Sequence, residues 1–126
     1  GGDLAIEGHI RLDRGKGFFM ALVGNDDSGI KGNIFISPRV NHPGAIAQPD
    51  LEGIYLADND IRSGIGDRPI YVLGSVIAWN KIYLERDLGI DNKDTPSELF
   101  EYSADLQFSA PQEFRRRGII WKEVSP

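Results

Sequence analysis

Aromatic side chains next to glycine and basic residues mark two short stretches of the chain. Residues 14–24 read RGKGFFMALVG, and residues 33–39 read NIFISPR. On a strand, successive side chains point to opposite faces, so Phe18 and Met20 would share one face while Phe19 occupies the other. The rings therefore either pack in a β core or form a platform on which flat ring systems stack.

Histidine, cysteine and serine show no recognisable catalytic or metal-binding pattern. The chain has no cysteine, and His9 and His42 are its only histidines. Metal sites normally combine several such ligands at regular spacing, and many nucleophilic serines lie in a Gly-x-Ser-x-Gly motif. Neither pattern is present, and the GKG turn at residues 15–17 lacks the spacing of a phosphate-binding loop. The sequence thus predicts no metal, no cofactor and no catalytic residue, and it favours a protein that is not an enzyme.

The segment 58–68 carries closely spaced acidic and basic side chains. Asp58 and Asp60 lie two residues apart, which would place both carboxylates on one face of an extended segment. Such a pair suits either a hard cation or an acid and base pair. Because Arg62 and Arg68 follow closely, we favour a salt-bridged polar loop.

Overall charge and composition limit the classes of function. The formal net charge is −5, which opposes general nucleic-acid binding because that affinity depends on Lys and Arg contacting phosphates. A length of 126 residues with 40% hydrophobic residues is typical of one folded domain. No apolar run approaches the roughly 18 residues of a membrane span, so we expect no membrane partner. The absence of cysteine favours a cytoplasmic protein.

Alternating and β-branched residues between turn signals predict a series of short strands. The expected strands cover residues 5–12, 18–23, 33–37, 53–57, 69–79 and 82–84. A capping box at residues 95–98 predicts a helix that begins near Pro96, and a second helical turn is expected near residues 114–117. Residues 119–124 are expected to form a last strand.

Closely spaced strands followed by a late helix predict a mainly β fold. We expect a small antiparallel OB-like barrel with a C-terminal helical addition, which is α+β overall. Residues 1–126 would form a single domain, with the barrel over about 4–85 and the helix and final strand over about 95–125.

The stretches GHIRLDRGKGFFMAL and GNIFISPRV resemble the first three strands of a cold-shock domain, which is a small OB-fold barrel. The likeness covers about residues 6–45 and is closest in manner to the cold-shock-like modules of ribonuclease II-type exoribonucleases. In that family, aromatic motifs on strands two and three stack on the bases of single-stranded RNA or DNA. Residues 16–20 and 33–37 are the corresponding stretches here.

The resemblance implies a non-catalytic module that binds single-stranded nucleic acid. Phe18 and Phe35, with Met20 or His9, would stack on bases. The phosphates would be contacted by Arg11, Lys16, Lys31 and Arg39. The alternative is an oligomeric protein-interaction or small-ligand-binding β-barrel without nucleic-acid function, in which the rings pack against a partner such as a second copy of the chain.

Overall fold

Two four-stranded parallel sheets make up the fold. The computed structural model describes residues 2–13, 15–44 and 48–114. Sheet A contains, in spatial order, β1 (Leu4–Ile6), β3 (Ile34–Ile36), β5 (Asp60–Arg62) and β7 (Lys81–Tyr83). Sheet B contains β2 (Met20–Val23), β4 (Leu51–Ala57), β6 (Ile70–Ala78) and β8 (Glu98–Glu101). Every pair of neighbouring strands is parallel.

The chain alternates between the two sheets, so each odd strand and the following even strand form one coil. We number these coils 1 to 4, from β1 and β2 to β7 and β8. Neighbouring coils are separated by the strand spacing of about 4.8 Å. Parallel sheets usually occur in α/β proteins, where helices connect the strands, but loops connect them here. The arrangement is a β-solenoid, in which the strands of each coil pair only with strands of the neighbouring coils.

The prediction of an antiparallel OB-like barrel is wrong. A hairpin requires consecutive strands to pair, whereas each strand of sheets A and B pairs with the strand two positions along the chain. Short strands bounded by Gly, Asn and Asp have the same sequence pattern in both architectures. The turns that predicted chain reversal within one sheet instead carry the chain from one sheet to the other.

Most of the predicted strands are confirmed, although two elements differ in type. β2, β3, β4, β6 and β7 lie within or beside the ranges expected from the sequence. The helix expected near Pro96 is instead strand β8, because Glu98–Glu101 completes sheet B by pairing with β6. The polar loop expected over residues 58–67 contains β5. The predicted strand over 119–124 and residues 115–117 of the predicted helical turn over 114–117 lie outside the described residues. Phe114, the first residue of that turn, ends a 3-10 helix.

Helical structure is limited to three short segments within the described part of the chain. A 3-10 helix covers Gly89–Lys93, α1 covers Asp105–Ser109, and a second 3-10 helix covers Gln112–Phe114. Among the residues that the structure describes, no helix has the length and apolar character needed to cross a membrane.

Inward-facing side chains of successive coils stack in register and form the core. Ile34 pairs with Ile61 in sheet A, and Leu51 pairs with Val72 in sheet B. All four are almost fully buried, as is Tyr55, whose hydroxyl donates to the carbonyl of Glu52. Burial, together with the nearby Glu52 carboxylate, raises the pKa of Tyr55. Apolar burial along these columns is the main favourable contribution to folding.

Asparagine and aspartate side chains connect the coils at the corner where the chain enters sheet A. Asp3 Oδ1 accepts hydrogen bonds from the backbone and side chain of Asn33, at 3.0 and 2.8 Å. Asn33 Oδ1 in turn accepts from Asn59 Nδ2, and Asp60 Oδ1 accepts from Asn80 Nδ2. Asp60 therefore belongs to a structural ladder, while Arg62 forms its ion pair with Glu85 at 2.7 Å.

Two stacked glycines allow β4 and β6 to approach closely. Gly53 and Gly74 are register partners, with φ of 140° and 144°. A Cβ at Gly74 would overlap the carbonyl oxygen of Gly53, and a Cβ at Gly53 would lie 2.9 Å from the carbonyl oxygen of Phe19. Both the positive φ and the close backbone contact therefore require glycine.

We expect Gly74→Ala to lower the free energy of unfolding by at least about 2 kcal/mol, because the new methyl group meets backbone and the φ is strained. Urea denaturation followed by circular dichroism measures this change. Gly8→Ala is the matched control, since a Cβ at Gly8 meets no atom within 4 Å. Equal stability of the two variants would contradict the close packing of β4 on β6.

The buried Arg86 connects three coils at the corner where the chain leaves sheet A. Its guanidinium donates to the carbonyl of Ser63 from both Nε and Nη2, at 2.9 and 2.7 Å. The remaining acceptors, at 3.1 to 3.3 Å, are the carbonyls of Ser37, Pro38, Val40 and Arg68. Coil 2, coil 3 and coil 4 are thus joined by one side chain.

Replacing Arg86 with methionine should lower the free energy of unfolding by at least about 3 kcal/mol, because buried carbonyls lose their donors. Arg86→Lys should be almost as destabilising, since an ammonium group cannot reach five carbonyls. Chemical denaturation of both variants, beside the exposed control Arg39→Met, measures the effect. A loss below about 1 kcal/mol would show that the corner does not depend on this side chain.

Candidate functional site

The two predicted stacking rings lie on different sheets. Phe18 lies two residues before β2 of sheet B, whereas Phe35 lies in β3 of sheet A and is 38% exposed. Phe18 stacks on Phe114 with ring centroids 6.0 Å apart. The side chain of Phe19 packs on the buried Tyr55, so Phe18 and Phe19 occupy different faces, as side-chain alternation predicts. A shared platform of Phe18 and Phe35, as implied by the OB arrangement, is therefore not formed.

The remaining residues of the predicted nucleic-acid surface are distributed over the solenoid. Met20 lies beside Phe18 in a groove of about 550 Å³ under α1. Arg11 Nε donates to the carbonyl of Pro49 at 3.0 Å. His9 also contacts the segment before β4. The other basic members of the set, all exposed, are Lys16, Lys31 and Arg39. The structure brings His9 and Arg11 to one loop and leaves Phe35 apart from them.

A buried carboxylate organises both histidines of the chain. Asp50 is fully buried just before β4, and its Oδ2 lies 2.7 Å from His42 Nδ1. The same oxygen accepts the backbone N–H of Tyr71 at 2.9 Å. On the other side, His9 Nε2 lies 3.2 Å from Asp50 Oδ1 and 2.9 Å from the carbonyl of Asn41.

The hydrogen bond to Asp50 fixes the orientation of the His42 ring. A carboxylate only accepts, so His42 Nδ1 carries the proton that it donates to Asp50, and in the tautomer protonated at Nδ1 alone Nε2 is an acceptor. Within the part of the chain that the structure describes, this buried Nε2 has no hydrogen-bond partner. An unsatisfied buried polar atom is costly in a folded protein and often marks a functional position.

His42 lines a cleft of about 730 Å³ at the corner between sheet A and sheet B. Three coils contribute to its walls, because the lining loops precede β4, β6 and β8. Besides His42, the lining consists of Pro43, Gly44, Asp67, Arg68, Pro69, Leu88, Asp91, Asp94, Thr95 and Pro96. The cleft combines carboxylate groups and one guanidinium with flat proline surfaces.

A hydrogen-bonded loop forms the wall of the cleft that coil 4 contributes. Asp87 Oδ1 accepts from the backbone N–H of Gly89 at 2.9 Å and from Asn92 Nδ2 at 2.6 Å. These bonds to the charged form lower the pKa of Asp87. Asn92 Oδ1 also accepts from the N–H of Leu88, which lines the cleft. The carboxylate thus holds Leu88 and the start of the 3-10 helix in position.

Neither His42 nor Asp50 was predicted as a site residue from the sequence. The two are eight residues apart on either side of a proline-containing loop, and no motif describes that spacing. Asp50 is buried only because coil 1 and coil 3 cover it with His9 and Tyr71. The sequence feature that pointed toward this site was the location of both histidines near segments rich in Gly and Pro. That feature is too common to identify a site.

The protein is thus a small β-solenoid with a polar cleft at one corner. This chain matches no known family model, no curated protein and no solved structure. Its function must therefore be inferred from the chemistry of the cleft and of the exposed surfaces.

We expect acid to loosen the loop over residues 87–92. The pKa of Asp87 is lower in the folded protein than its ordinary value of about 3.9, so its stabilising contribution is present above that pH and is lost as pH falls through the folded value. Hydrogen exchange of the Gly89 amide between pH 2 and 6 measures the loss.

The Asp87→Asn variant tests whether this carboxylate is responsible. An amide oxygen still accepts a hydrogen bond but does not titrate in this range, so the protection of Gly89 should lose most of its pH dependence. Asp27→Asn, at an exposed position in another turn, should leave it unchanged. An unaltered pH profile in Asp87→Asn would assign the effect to another group.

Proposed function

We propose that the protein binds a small, neutral, hydroxyl-rich molecule, such as a sugar unit, in the corner cleft. The observation that carries the proposal is the acceptor Nε2 of His42. It is buried, it is held in place by Asp50 through Nδ1, and it has no partner among the described residues. A ligand hydroxyl that reached Nε2 would supply the missing hydrogen bond.

The energy available from this contact is sufficient to favour binding. A buried polar atom without a partner costs about 1 to 3 kcal/mol, and a ligand that satisfies it recovers part of this cost. Because Asp50 already fixes the orientation of the imidazole, little side-chain entropy is lost when the ligand binds. The imidazole is therefore oriented before the ligand arrives, and a small displacement of the cleft lining must uncover the buried Nε2 for a hydroxyl to reach it.

The charge of the cleft lining favours ligands that donate hydrogen bonds over ligands that carry negative charge. Asp67, Asp91 and Asp94 are exposed carboxylates that accept hydrogen bonds, while Arg68 is the one guanidinium in the lining. Adjacent hydroxyl groups on one molecule can donate to the carboxylates and accept from Arg68. A phosphate or carboxylate ligand would be repelled by the excess of acidic groups.

The flat apolar surfaces of the cleft fit the less polar faces of such a ligand. Pro43, Pro69 and Pro96 line the cleft together with Leu88. Ligand sites commonly combine apolar walls with a few polar groups that set orientation. Here the prolines form the apolar walls of the cleft, and His42 and the carboxylates set the orientation of the ligand.

Binding of single-stranded nucleic acid stays a prediction from the sequence. The separation of Phe18 and Phe35 on two sheets and the net charge of −5 do not favour it. Neither does the acidic lining of the cleft, which is unsuited to phosphates. Labelled oligonucleotides therefore serve as a competing probe beside the neutral ligands.

We expect His42→Asn to weaken sugar binding about threefold to tenfold, which corresponds to the loss of one hydrogen bond. The Asn side-chain amide can replace Nδ1 as the donor to Asp50 but has no atom at Nε2. Titration of ¹⁵N-labelled protein with glucose, galactose, mannose and glycerol, followed through the amide shifts of Gly44 and Thr95, measures affinity.

Two controls test whether His42 and the acidic lining set the affinity. Glucose 6-phosphate should bind more weakly than glucose because of the carboxylates, and His9→Asn should retain binding if His42 is the acceptor. Absence of cleft shifts with every neutral probe at about 50 mM would overturn the proposal. Salt-dependent binding of labelled single-stranded oligonucleotides that Phe18→Ala and Phe35→Ala remove would favour the nucleic-acid function instead.

A further inference from the structure

His42 and Asp50 are paired as the histidine and carboxylate of a general base are paired in enzymes. The ring donates from Nδ1 to Asp50 Oδ2 at 2.7 Å, and this carboxylate is fully buried. The same oxygen accepts the backbone N–H of Tyr71 at 2.9 Å, which holds the carboxylate in place. A buried carboxylate in this position stabilises the imidazolium that forms when Nε2 takes a proton. Asp50 is therefore a positioning residue that acts through His42.

This oriented base has no side-chain nucleophile to activate among the described residues. Nε2 of His42 has no hydrogen-bond partner there, so no serine or threonine hydroxyl of the described chain is paired with it. Cysteine is absent from the sequence. Covalent catalysis by serine or cysteine requires the nucleophile and its base to lie within hydrogen-bond reach. The proton that Nε2 can accept therefore belongs to the ligand or to water.

A reducing sugar carries one hydroxyl group whose deprotonation starts a reaction without a further reagent. Loss of the proton from the anomeric O1–H allows the ring to open at the bond between C1 and O5. The ring can then close on the other face of C1, which converts one anomer into the other. This reaction consists of proton transfers coupled to one bond cleavage, so general acid and base groups accelerate it.

Arg68 supplies a donor that complements the base. It is exposed and is the one guanidinium in the described lining of the cleft. Its carbonyl accepts a hydrogen bond from Arg86 Nη1 at 3.2 Å, which fixes its backbone beside the cleft. A guanidinium donates hydrogen bonds without giving up its proton. Arg68 can thus stabilise the negative charge that develops on O5, while water supplies the proton.

We propose that the corner cleft catalyses the interconversion of the two anomers of a reducing sugar, with His42 Nε2 as the general base. This inference rests on the proposed function, because the sugar must first bind in the cleft and displace its lining enough to uncover Nε2. The matching roles are a catalytic residue in His42, a positioning residue in Asp50 and a charge-stabilising donor in Arg68.

The reaction balances without an oxidant, a reductant or a second substrate. Nε2 takes the proton of O1–H, and the electron pair of that bond forms the carbonyl of the open-chain aldehyde. The electron pair of the bond between C1 and O5 moves to O5, which takes a proton from water. Rotation about the bond between C1 and C2 presents the other face of the carbonyl. The same steps in reverse close the ring and return both protons.

Polarimetry of freshly dissolved α-D-glucose, with and without the full chain, tests the proposal. We expect bound sugar to interconvert at least about 100-fold faster than free sugar, and the acceleration to saturate as the sugar concentration rises. Free imidazole at the protein concentration is the control for a base that is not oriented. Methyl α-D-glucoside has no free anomeric hydroxyl, so it should occupy the cleft and inhibit the acceleration.

Three variants separate the chemical step from binding. His42→Asn removes Nε2 and should abolish the acceleration even at saturating sugar. Asp50→Asn should lower the saturated rate more than the affinity, because the charge that stabilises the imidazolium is lost. Arg68→Gln should lower the saturated rate about tenfold. Arg39→Gln is its matched control, since Arg39 is exposed and lies outside the described lining. Circular dichroism confirms that each variant is folded.

The amide shifts of Gly44 and Thr95 distinguish failure of catalysis from failure of binding. Glucose that shifts these amides but interconverts no faster than with free imidazole would overturn the catalytic role and leave the proposed binding intact. Acceleration that persists in folded His42→Asn would also overturn the role of Nε2. Absence of shifts with every sugar would overturn the binding and the catalytic role together.

Discussion

The guanidinium of Arg86 donates hydrogen bonds to five backbone carbonyls in the loops that leave sheet A. These loops pair along the coil axis at the bridge between Gly66 and Arg86, and the side chain of Arg86 adds donors for carbonyls beyond that bridge. Arg86 extends from coil 4 to the carbonyl of Ser37 in coil 2, which is 49 residues earlier in the chain. Burial lowers the pKa of Arg86, while the charges of Glu98 and Asp50 oppose this change.

The corner cleft depends on the same interactions. Arg86 holds the carbonyls of Val40 and Arg68, which lie next to His42 and within the lining of the cleft. Asp50 then positions the His42 ring, and Asp87 positions the loop on the opposite wall. The charged groups of Arg86, Asp50 and Asp87 thus connect the stacking of the coils to the shape of the cleft in which a ligand would bind.

Strand positions were predictable because side-chain alternation and turn residues act over a few neighbouring positions. Ile34 and Ile36 face inward and Phe35 faces outward, as alternation alone requires. The type of β8 was mispredicted because the residues 95–98 fit a helix cap locally. Glu98 instead accepts hydrogen bonds from the backbone of Arg86 and the hydroxyl of Ser63. Tertiary pairing outweighed the local preference in this segment.

The sequence by itself determined where most strands form, that Phe18 and Phe19 occupy opposite faces and that the chain carries an excess of negative charge. Tertiary structure alone decided that each strand pairs with the second strand along the chain rather than with the next. It also decided that Phe18 and Phe35 lie on different sheets and that His42 meets Asp50 beside a cleft. The physical reason is range: alternation and turn propensity are local, whereas strand pairing and buried hydrogen bonds join residues that only the folded coils bring together.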